Sequence, residues 1–150
     1  MKLHCGCLAD IEPWMALVTR VRANFPGLET AEAIEDHRNT VLKFMRRGEA
    51  ICMKDGDKIA GVMLFSSKHN MICCLAVAPE YRRRGAASAM LTEALSMLDH
   101  SRPITVTTFR EGDEMGIAPR ALYKSFGFTE GELCIELNYP CQVFILKNGC

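Results

Sequence analysis

Apolar residues near the start of the chain recur three or four positions apart, which predicts two amphipathic helices. The first carries apolar residues from Trp14 to Phe25, can be capped by Asp10, and is expected to end at Pro26-Gly27. The second is expected to open at Thr30 and carries apolar residues as far as Met45. Two helices are therefore predicted before the first strand.

The pattern then changes to short apolar runs that are typical of strands. Strands are predicted at Ala50–Lys54 and Lys58–Ser66, joined by Asp55-Gly56, a pair that suits a tight hairpin turn. The next run, "NMICCLAVAP" (70–79), is apolar throughout. That composition predicts a central strand covered on both faces.

Helical and strand patterns alternate in the second half of the chain. A helix is predicted from about Gly85, followed by a strand at 104–109 and a short helix at 118–126 that Gly127 ends. A last strand is predicted at 142–147. The succession of elements predicts an α/β or α+β domain, a mixed sheet with helices on its faces.

The composition is that of an ordinary globular protein, with 150 residues, 49% of them hydrophobic and 24% charged. This length predicts a single domain that spans 1–150. Eighteen basic and 18 acidic residues cancel, which gives no support for a nucleic-acid-binding protein. No apolar stretch approaches the roughly 18 residues of a membrane span, and the start lacks the apolar core of a signal peptide. A cytoplasmic protein is expected.

The chain contains eight cysteines, but their placement does not suggest a disulfide framework. Cys52, Cys73 and Cys74 lie inside apolar runs, where a free cysteine behaves as a small hydrophobic residue. Cys5 and Cys7 have no nearby Cys/His pair to complete a tetrahedral metal site. Reduced structural thiols and no metal ion are expected.

The stretch "APEYRRRGAAS" (78–88) sets three arginines directly against a glycine and a run of small residues. A strand that leads through Gly85 into a helix leaves unpaired N–H groups at the positive end of the helix dipole. Small side chains would let a phosphate approach that backbone. A nucleic-acid patch and a solvated helix start are the alternatives. The stretch matches neither the Walker pattern nor G-x-G-x-x-G.

The segment "CLAVAPEYRRRGAASAML" resembles the acetyl-CoA-binding motif of the GNAT superfamily N-acetyltransferases. The family signature R/Q-x-x-G-x-G/A matches Arg82, Gly85 and Ala87. The later "ALYKSFGF" is similar to the second hallmark of the family, L-Y-x-x-x-G-F. The hallmarks occur in the expected order, and the resemblance covers about 50–128. It implies a mixed, mostly antiparallel central sheet flanked by helices, with a V-shaped splay between two central strands.

The resemblance also implies where acetyl-CoA, the co-substrate, would bind. Its pyrophosphate would lie on the backbone N–H groups at 83–88, and its pantetheine arm would pair with the strand at 75–77. The acetyl group would sit in the gap between that strand and 104–109. The implied binding residues are Leu75, Ala76, Val77, Arg82, Arg83, Arg84, Gly85, Ala86, Ala87 and Ser88.

The expected reaction is attack of an amine on the thioester carbonyl. The oxyanion then needs a donor, and the departing thiolate needs a proton. A backbone N–H near Leu75 can serve the oxyanion. Tyr123 matches the family tyrosine that protonates the sulfur, and its alternative role is packing on its helix. One departure is position 116, where glycine replaces the asparagine of many family members. That puts a CoA or strand-bridging contact in doubt.

The general base stays open. Glu111, Asp113 and Glu114 follow the strand at 104–109 and would lie near the acceptor mouth, where they could accept a proton or attract a cationic amine. They could also form a merely solvated loop. His69, before the central strand, is another candidate, and a water chain would also suffice.

The predicted function is transfer of acetyl from acetyl-CoA to a primary amine. A longer acyl group is an alternative within the same reaction, and a catalytically silent CoA-binding sensor on the same fold is the alternative from another class. Small molecules, peptide N-termini and lysine side chains all stay open as acceptors. So does the oligomeric state, including a homodimer. No nucleic-acid or membrane partner is expected.

Overall fold

The computed structural model describes residues 1–147, which form one seven-stranded sheet with α-helices packed against it. The strands are β1 Lys2–Cys5, β2 Ala50–Asp55, β3 Lys58–Ser66, β4 Met71–Val77, β5 Ile104–Phe109, β6 Thr129–Glu136 and β7 Tyr139–Leu146. The α-helices are α1 Ile11–Val21, α2 Ala31–Arg46, α3 Ala86–Met97 and α4 Ile117–Ser125. None of the helices within 1–147 is both long and apolar enough to cross a membrane.

The strand order is β1-β2-β3-β4-β5-β7-β6. Every neighbouring pair is antiparallel except β4 and β5, which run parallel. The mostly antiparallel mixed sheet implied by the family resemblance is confirmed.

The two parallel strands at the centre of the sheet separate soon after they meet. Their pairing consists of Met71 with Thr105 and Ile72 with Val106. Immediately beyond, Cys73 is an extra residue in the β3–β4 ladder, because Ile72 and Cys74 pair with adjacent residues of β3. A bulge of this kind bends the strand and increases its twist. The V-shaped splay is confirmed and starts at this bulge.

The core lies on both sides of β3, which is buried at every position after Lys58. Trp14 of α1 is fully buried, and a Cβ atom on Gly6 would stand 2.8 Å from Trp14 Cζ3. Met90 of α3 packs closely on β3, since a Cβ atom on Gly61 would stand 2.8 Å from Met90 Cε. This packing holds α3 against the sheet, and its first turn follows β4 after a connection that contains the 3-10 turn Pro79–Tyr81.

The sequence analysis missed the strands at the two edges of the sheet. All four residues of β1 are exposed, and most of β6 is exposed as well, so neither strand shows the apolar run of a buried strand. The last strand begins at Tyr139, three residues before the predicted start. The first helix ends at Val21, and a short 3-10 turn separates it from Phe25.

The prediction that the central strand is covered on both faces is wrong. Cys73 is exposed, and Cys74, Leu75 and Val77 are half-buried, although Ile72 and Ala76 are buried. The apolar composition of β4 reflects its position in the middle of the sheet, but one side of it opens on a cleft. Cys73 is therefore not the buried small hydrophobic residue that its surroundings in the sequence suggested.

Candidate active site

A cleft of about 960 Å³ opens where β4 and β5 separate. One wall is β4 from Cys73 to Val77, and the other is β5 from Val106 to Phe109. The start of α3 also lines it, and α4 contributes Tyr123. The remaining lining residues come mainly from the loop between α1 and α2, the segment around α4, and the turn between β6 and β7.

The start of α3 is open to the cleft at Gly85, which caps the helix in the left-handed conformation with φ +83°. A Cβ atom built on Gly85 would meet no other atom within 4 Å. Ala86, Ala87 and Ser88 line the cleft, and the N–H groups of a first helical turn have no partner within the helix. Open space, free N–H groups and the helix dipole together make this end suitable for a phosphate.

The three arginines before Gly85 lie in different surroundings. Arg83 lines the cleft and adopts a left-handed φ of +63°, a strained conformation for a residue other than glycine. Arg82 also lines the cleft, and its Nε donates a hydrogen bond to the carbonyl oxygen of Val77 at 3.3 Å. Arg84 does not line the cleft, since its guanidinium lies over the ring of Tyr81, 5.5 Å from the centroid.

The edge of β4 that faces β5 offers backbone groups to the cleft. Leu75, Ala76 and Val77 line it, and they lie beyond Ile72, where pairing with β5 ends. An extended ligand can pair with such an edge as an added strand. The predicted path of a pantetheine arm along 75–77 therefore runs beside backbone that lacks a neighbouring strand on that side.

Tyr123 lines the cleft and is almost completely buried, with 4% of its surface exposed. Its ring packs against Phe128 and Phe144, at centroid distances of 5.7 and 6.3 Å. Burial raises the pKa of the Tyr123 hydroxyl well above its usual range, and the charge of Cys74 adds to the effect. The hydroxyl is therefore protonated at neutral pH and can act as a proton donor.

Of the predicted general-base candidates, only Glu114 lines the cleft. Asp113 instead accepts hydrogen bonds from Tyr139 Oη at 2.6 Å and from the Met115 backbone N–H at 3.0 Å. Those contacts fix the turn before α4. Glu111 and His69 do not line the cleft, and the backbone N–H of His69 donates to Ser66 Oγ in the turn before β4.

A second acidic side chain in the cleft, Glu136, was missed by the sequence analysis. It is the last residue of β6, a strand that was not predicted. The next two residues, Leu137 and Asn138, both have positive φ and form the turn to β7. Asn138, a residue type that tolerates positive φ in turns, was the signal that could have located this hairpin.

The glycine at 116 has a structural cause. A Cβ atom there would stand 2.8 Å from Phe109 Cβ and 3.2 Å from Arg120 Cδ, so asparagine does not fit without a shift. Arg120 is buried, and its Nη1 donates to the Phe109 carbonyl oxygen at 2.9 Å and to Gln142 Oε1 at 2.8 Å. These hydrogen bonds connect α4 with β5 and β7.

Residues 1–147 contain no group of three or more histidine, cysteine, aspartate or glutamate side chains arranged to hold a metal ion. The charged side chains among the described residues that line the cleft are Arg82, Arg83, Glu114 and Glu136.

Several solved structures share this fold. The chain is similar to an acetyltransferase of the GNAT family from Bacillus cereus ATCC 10987, with 19% identity, coverage of 97% of this chain and 96% of that chain, and a TM-score of 0.75. For an N-acetyltransferase from Staphylococcus aureus Mu50 the identity is 15%, the coverage 97% and 100%, and the TM-score 0.76. For yncA of Salmonella typhimurium, solved with its cofactor acetyl-CoA, the identity is 11%, the coverage 98% of this chain and 93% of that chain, and the TM-score 0.74.

These identities are low, so the structural likeness shows the fold alone. A search of curated protein sequences finds no match. The family is shown by the sequence of 46–130, more than half of the chain, which matches the family model described as "Acetyltransferase (GNAT) domain". The matched segment runs from the end of α2 to the start of β6 and contains the cleft-forming strands, the start of α3 and Tyr123. The chain belongs to the GNAT family of acetyltransferases.

Proposed function

We propose that this protein is an N-acetyltransferase that moves the acetyl group of acetyl-CoA to a primary amine. The observation that carries the proposal is the arrangement of the cleft. A helix start suited to an anion, an unpaired strand edge and a protonated tyrosine line the same cleft. Acetyl-CoA has one group for each of them: the pyrophosphate, the pantetheine arm and the thioester.

The phosphate end would hold the pyrophosphate. The N–H groups of Ala86, Ala87 and Ser88 point from the first turn of α3, and Arg82 and Arg83 add positive charge beside them. The absence of a side chain at Gly85 leaves space for the phosphate oxygens. Arg84 has a smaller part in this proposal, because its guanidinium is held over Tyr81.

The strand end would hold the arm and the reacting carbonyl. Backbone groups of Leu75, Ala76 and Val77 would pair with the pantetheine amides. A backbone N–H of β4 near Leu75 would donate to the oxyanion that forms when the amine attacks. Tyr123 would give its proton to the sulfur as the carbon–sulfur bond breaks.

The test is release of free CoA thiol from acetyl-CoA in the presence of a panel of amines, followed with a thiol reagent. The panel should include small apolar and polar amines, a peptide with a free N-terminus and a peptide with an internal lysine. Thiol release that depends on an amine, with the acetylated product identified by mass spectrometry, supports the proposal.

Tight binding of CoA without thiol release for any amine would favour a catalytically silent CoA-binding protein. Turnover with a longer acyl-CoA that exceeds turnover with acetyl-CoA would change the donor but retain the reaction. Weak binding of both CoA and acetyl-CoA would contradict the proposal itself.

A further inference from the structure

The charged residues that line the cleft come from different elements according to their sign. Arg82 and Arg83 precede α3, whereas Glu114 lies before α4 and Glu136 ends β6, and the described lining residues include no other charged side chain. Charges of opposite sign on different elements of one cleft suit two ligands of opposite charge. A phosphate-rich donor fits the arginines, and a cation fits the glutamates.

Glu136 is placed close to the point where the central strands separate. Thr107, in the β5 wall, donates a hydrogen bond from Oγ1 to Glu136 Oε1 at 3.4 Å. Across the gap, the pKa of the Cys73 thiol is raised to about 11, first by partial desolvation and then by Glu49, while Arg47 lowers it and Glu136 raises it slightly. The Glu136 carboxylate is thus hydrogen-bonded to the β5 wall, and it also acts on the thiol at the bulge in β4.

The Glu136 carboxylate forms no ion pair within the described residues. Residues 1–147 place no lysine, arginine or histidine nitrogen within 4.0 Å of it, in contrast to Glu12, Glu49 and Glu130, whose carboxylates form ion pairs. An unpaired carboxylate beside a cleft is free to pair with a cationic ligand.

Apolar side chains of two segments line the cleft together with Glu136. Leu137 adopts a φ of +51° in the β6–β7 turn and is 71% exposed, an unfavourable state for a leucine. Its Cδ1 lies 2.6 Å from where a Cβ atom on Gly27 would stand, so the turn contacts the loop between α1 and α2. Phe25 and Pro26 of that loop also line the cleft. The result is an apolar rim next to the carboxylate.

We propose that Glu136 binds the protonated amine of the acceptor and takes its proton, and that the acceptor amine carries an apolar group that packs on Leu137 and Phe25. This inference rests on the proposed function and names its substrate class. Glu114 lies in the 3-10 turn before α4 and lacks a hydrogen bond to the β5 wall in the described structure, so it is assigned no part in the proton transfer.

The step balances as follows. The ammonium gives one proton to the Glu136 carboxylate, and the nitrogen lone pair forms a bond to the thioester carbon. The carbon–sulfur bond then breaks, and the sulfur takes the Tyr123 proton. The second proton leaves the new amide nitrogen and returns to Tyr123, while Glu136 releases its proton to water. The products are an amide, CoA thiol and one proton.

The first experiment measures binding without turnover, by calorimetric titration of phenethylamine into protein saturated with CoA. The variants are Glu136→Gln and, as a matched control on the same strand, Glu132→Gln, whose side chain does not line the cleft. Phenethylamine should bind wild type and Glu132→Gln alike, and Glu136→Gln at least about tenfold more weakly. No binding to wild type, or equal binding to all three proteins, would overturn the inference.

The second experiment measures turnover of phenethylamine and ethanolamine. Glu136→Gln should lower kcat by about 10²-fold and raise KM for the amine, while the affinity for CoA stays unchanged. Leu137→Asn keeps a residue that tolerates positive φ but removes the apolar contact, so the preference for phenethylamine over ethanolamine should fall. Unchanged kcat in Glu136→Gln would overturn the proton transfer to Glu136. The absence of a preference for phenethylamine in wild type would overturn the apolar group of the acceptor.

The experiments distinguish failure of the acetyltransferase proposal from failure of the role proposed for Glu136. If wild type binds acetyl-CoA and acetylates no amine, the acetyltransferase proposal fails, and the titration with CoA still decides whether Glu136 binds a cationic apolar amine. If wild type acetylates amines and Glu136→Gln does so equally well, the acetyltransferase proposal stands and the role of Glu136 is wrong.

Discussion

Tyr123 packs edge-on against Phe144 of β7, with 6.3 Å between the ring centroids. Phe128 contacts the same ring at 5.7 Å, so aromatic side chains from two further segments fix its position. Such contacts depend on the ring and not on the hydroxyl. Replacement by phenylalanine therefore keeps the packing of the cleft and removes only the group proposed to protonate the sulfur.

Tyr123→Phe should lower kcat by roughly 10²-fold, because a positioned general acid typically contributes at least that factor. Binding of acetyl-CoA should change little, since the phosphate site at the start of α3 is untouched. The measurement is steady-state turnover with one amine, under conditions where the chemical step is shown to limit the rate. The melting temperature serves as the control for packing.

A thioester with a more acidic leaving thiol provides a second test of the same role. Such a thiol departs with less need for a proton, so the difference between wild type and Tyr123→Phe should shrink. Undiminished kcat in Tyr123→Phe would make Tyr123 a packing residue and leave water as the proton donor.

Gly85→Glu should weaken CoA binding by at least about tenfold, because it places bulk and negative charge where the pyrophosphate approaches the helix start. Gly48→Glu is the matched control, since Gly48 also has positive φ and open space around it but does not line the cleft. Both variants suffer the same kind of backbone strain. Equal CoA affinity in the two folded variants would contradict the proposal that the pyrophosphate binds at the start of α3.

Arg83→Ala should weaken CoA binding more than Arg84→Ala. Arg83 lines the cleft, whereas Arg84 is held over the Tyr81 ring and does not. The expected loss for Arg83→Ala is about threefold at low salt, typical of an exposed charge pair, and it should decrease as the salt concentration rises. Calorimetric titration of CoA at two salt concentrations measures both effects. A larger loss of CoA affinity in Arg84→Ala would contradict the proposal that Arg83, and not Arg84, lies beside the phosphates.

The buried elements of the fold could be predicted from the sequence, and the exposed ones could not. The strands β2 and β3 have apolar runs because they are almost fully buried, and β4 has one because it lies in the middle of the sheet. The edge strands β1 and β6 lack such runs, since they pair on one side only and most of their side chains face solvent. A hydrophobic pattern arises from burial, so it does not identify strands at the edges of a sheet, where most side chains face solvent.

The same limit explains which parts of the site were found. The phosphate end is one continuous segment, from β4 through Gly85 into α3, and its spacing is readable in the sequence. The acceptor end joins the α1–α2 loop with the end of β6, residues more than one hundred positions apart. Glu136 therefore reached the cleft through an unpredicted strand, while Asp113 and His69, nearer in sequence to the central strands, turned out to lie outside its lining.

The reactivity of Cys73, the bulged residue of β4, can show whether a ligand occupies the gap between β4 and β5. Its thiol lines the cleft and reacts only as the thiolate. Although the residue as a whole is exposed, the walls of the cleft partly desolvate its thiol and raise the pKa to about 11; Glu49 and Glu136 raise it further, and Arg47 opposes them. A raised pKa means that the neutral thiol dominates below that value, so reactivity is low at neutral pH and increases as the pH rises toward 11.

Cys73 should therefore react with iodoacetamide at pH 8 roughly 100-fold more slowly than a cysteine in a short peptide, and the rate should rise about tenfold per pH unit up to pH 10. Acetyl-CoA should slow the labelling further, because the acetyl group is proposed to occupy the gap beside β4. Mass spectrometry of the Cys73 peptide measures both effects, and Cys5, exposed on β1 and outside the cleft, is the control within the same sample. Labelling as fast as in the free peptide would contradict the raised pKa. Equal labelling of Cys73 with and without saturating acetyl-CoA would place the thioester elsewhere, since no group could then lie between β4 and β5 at the bulge.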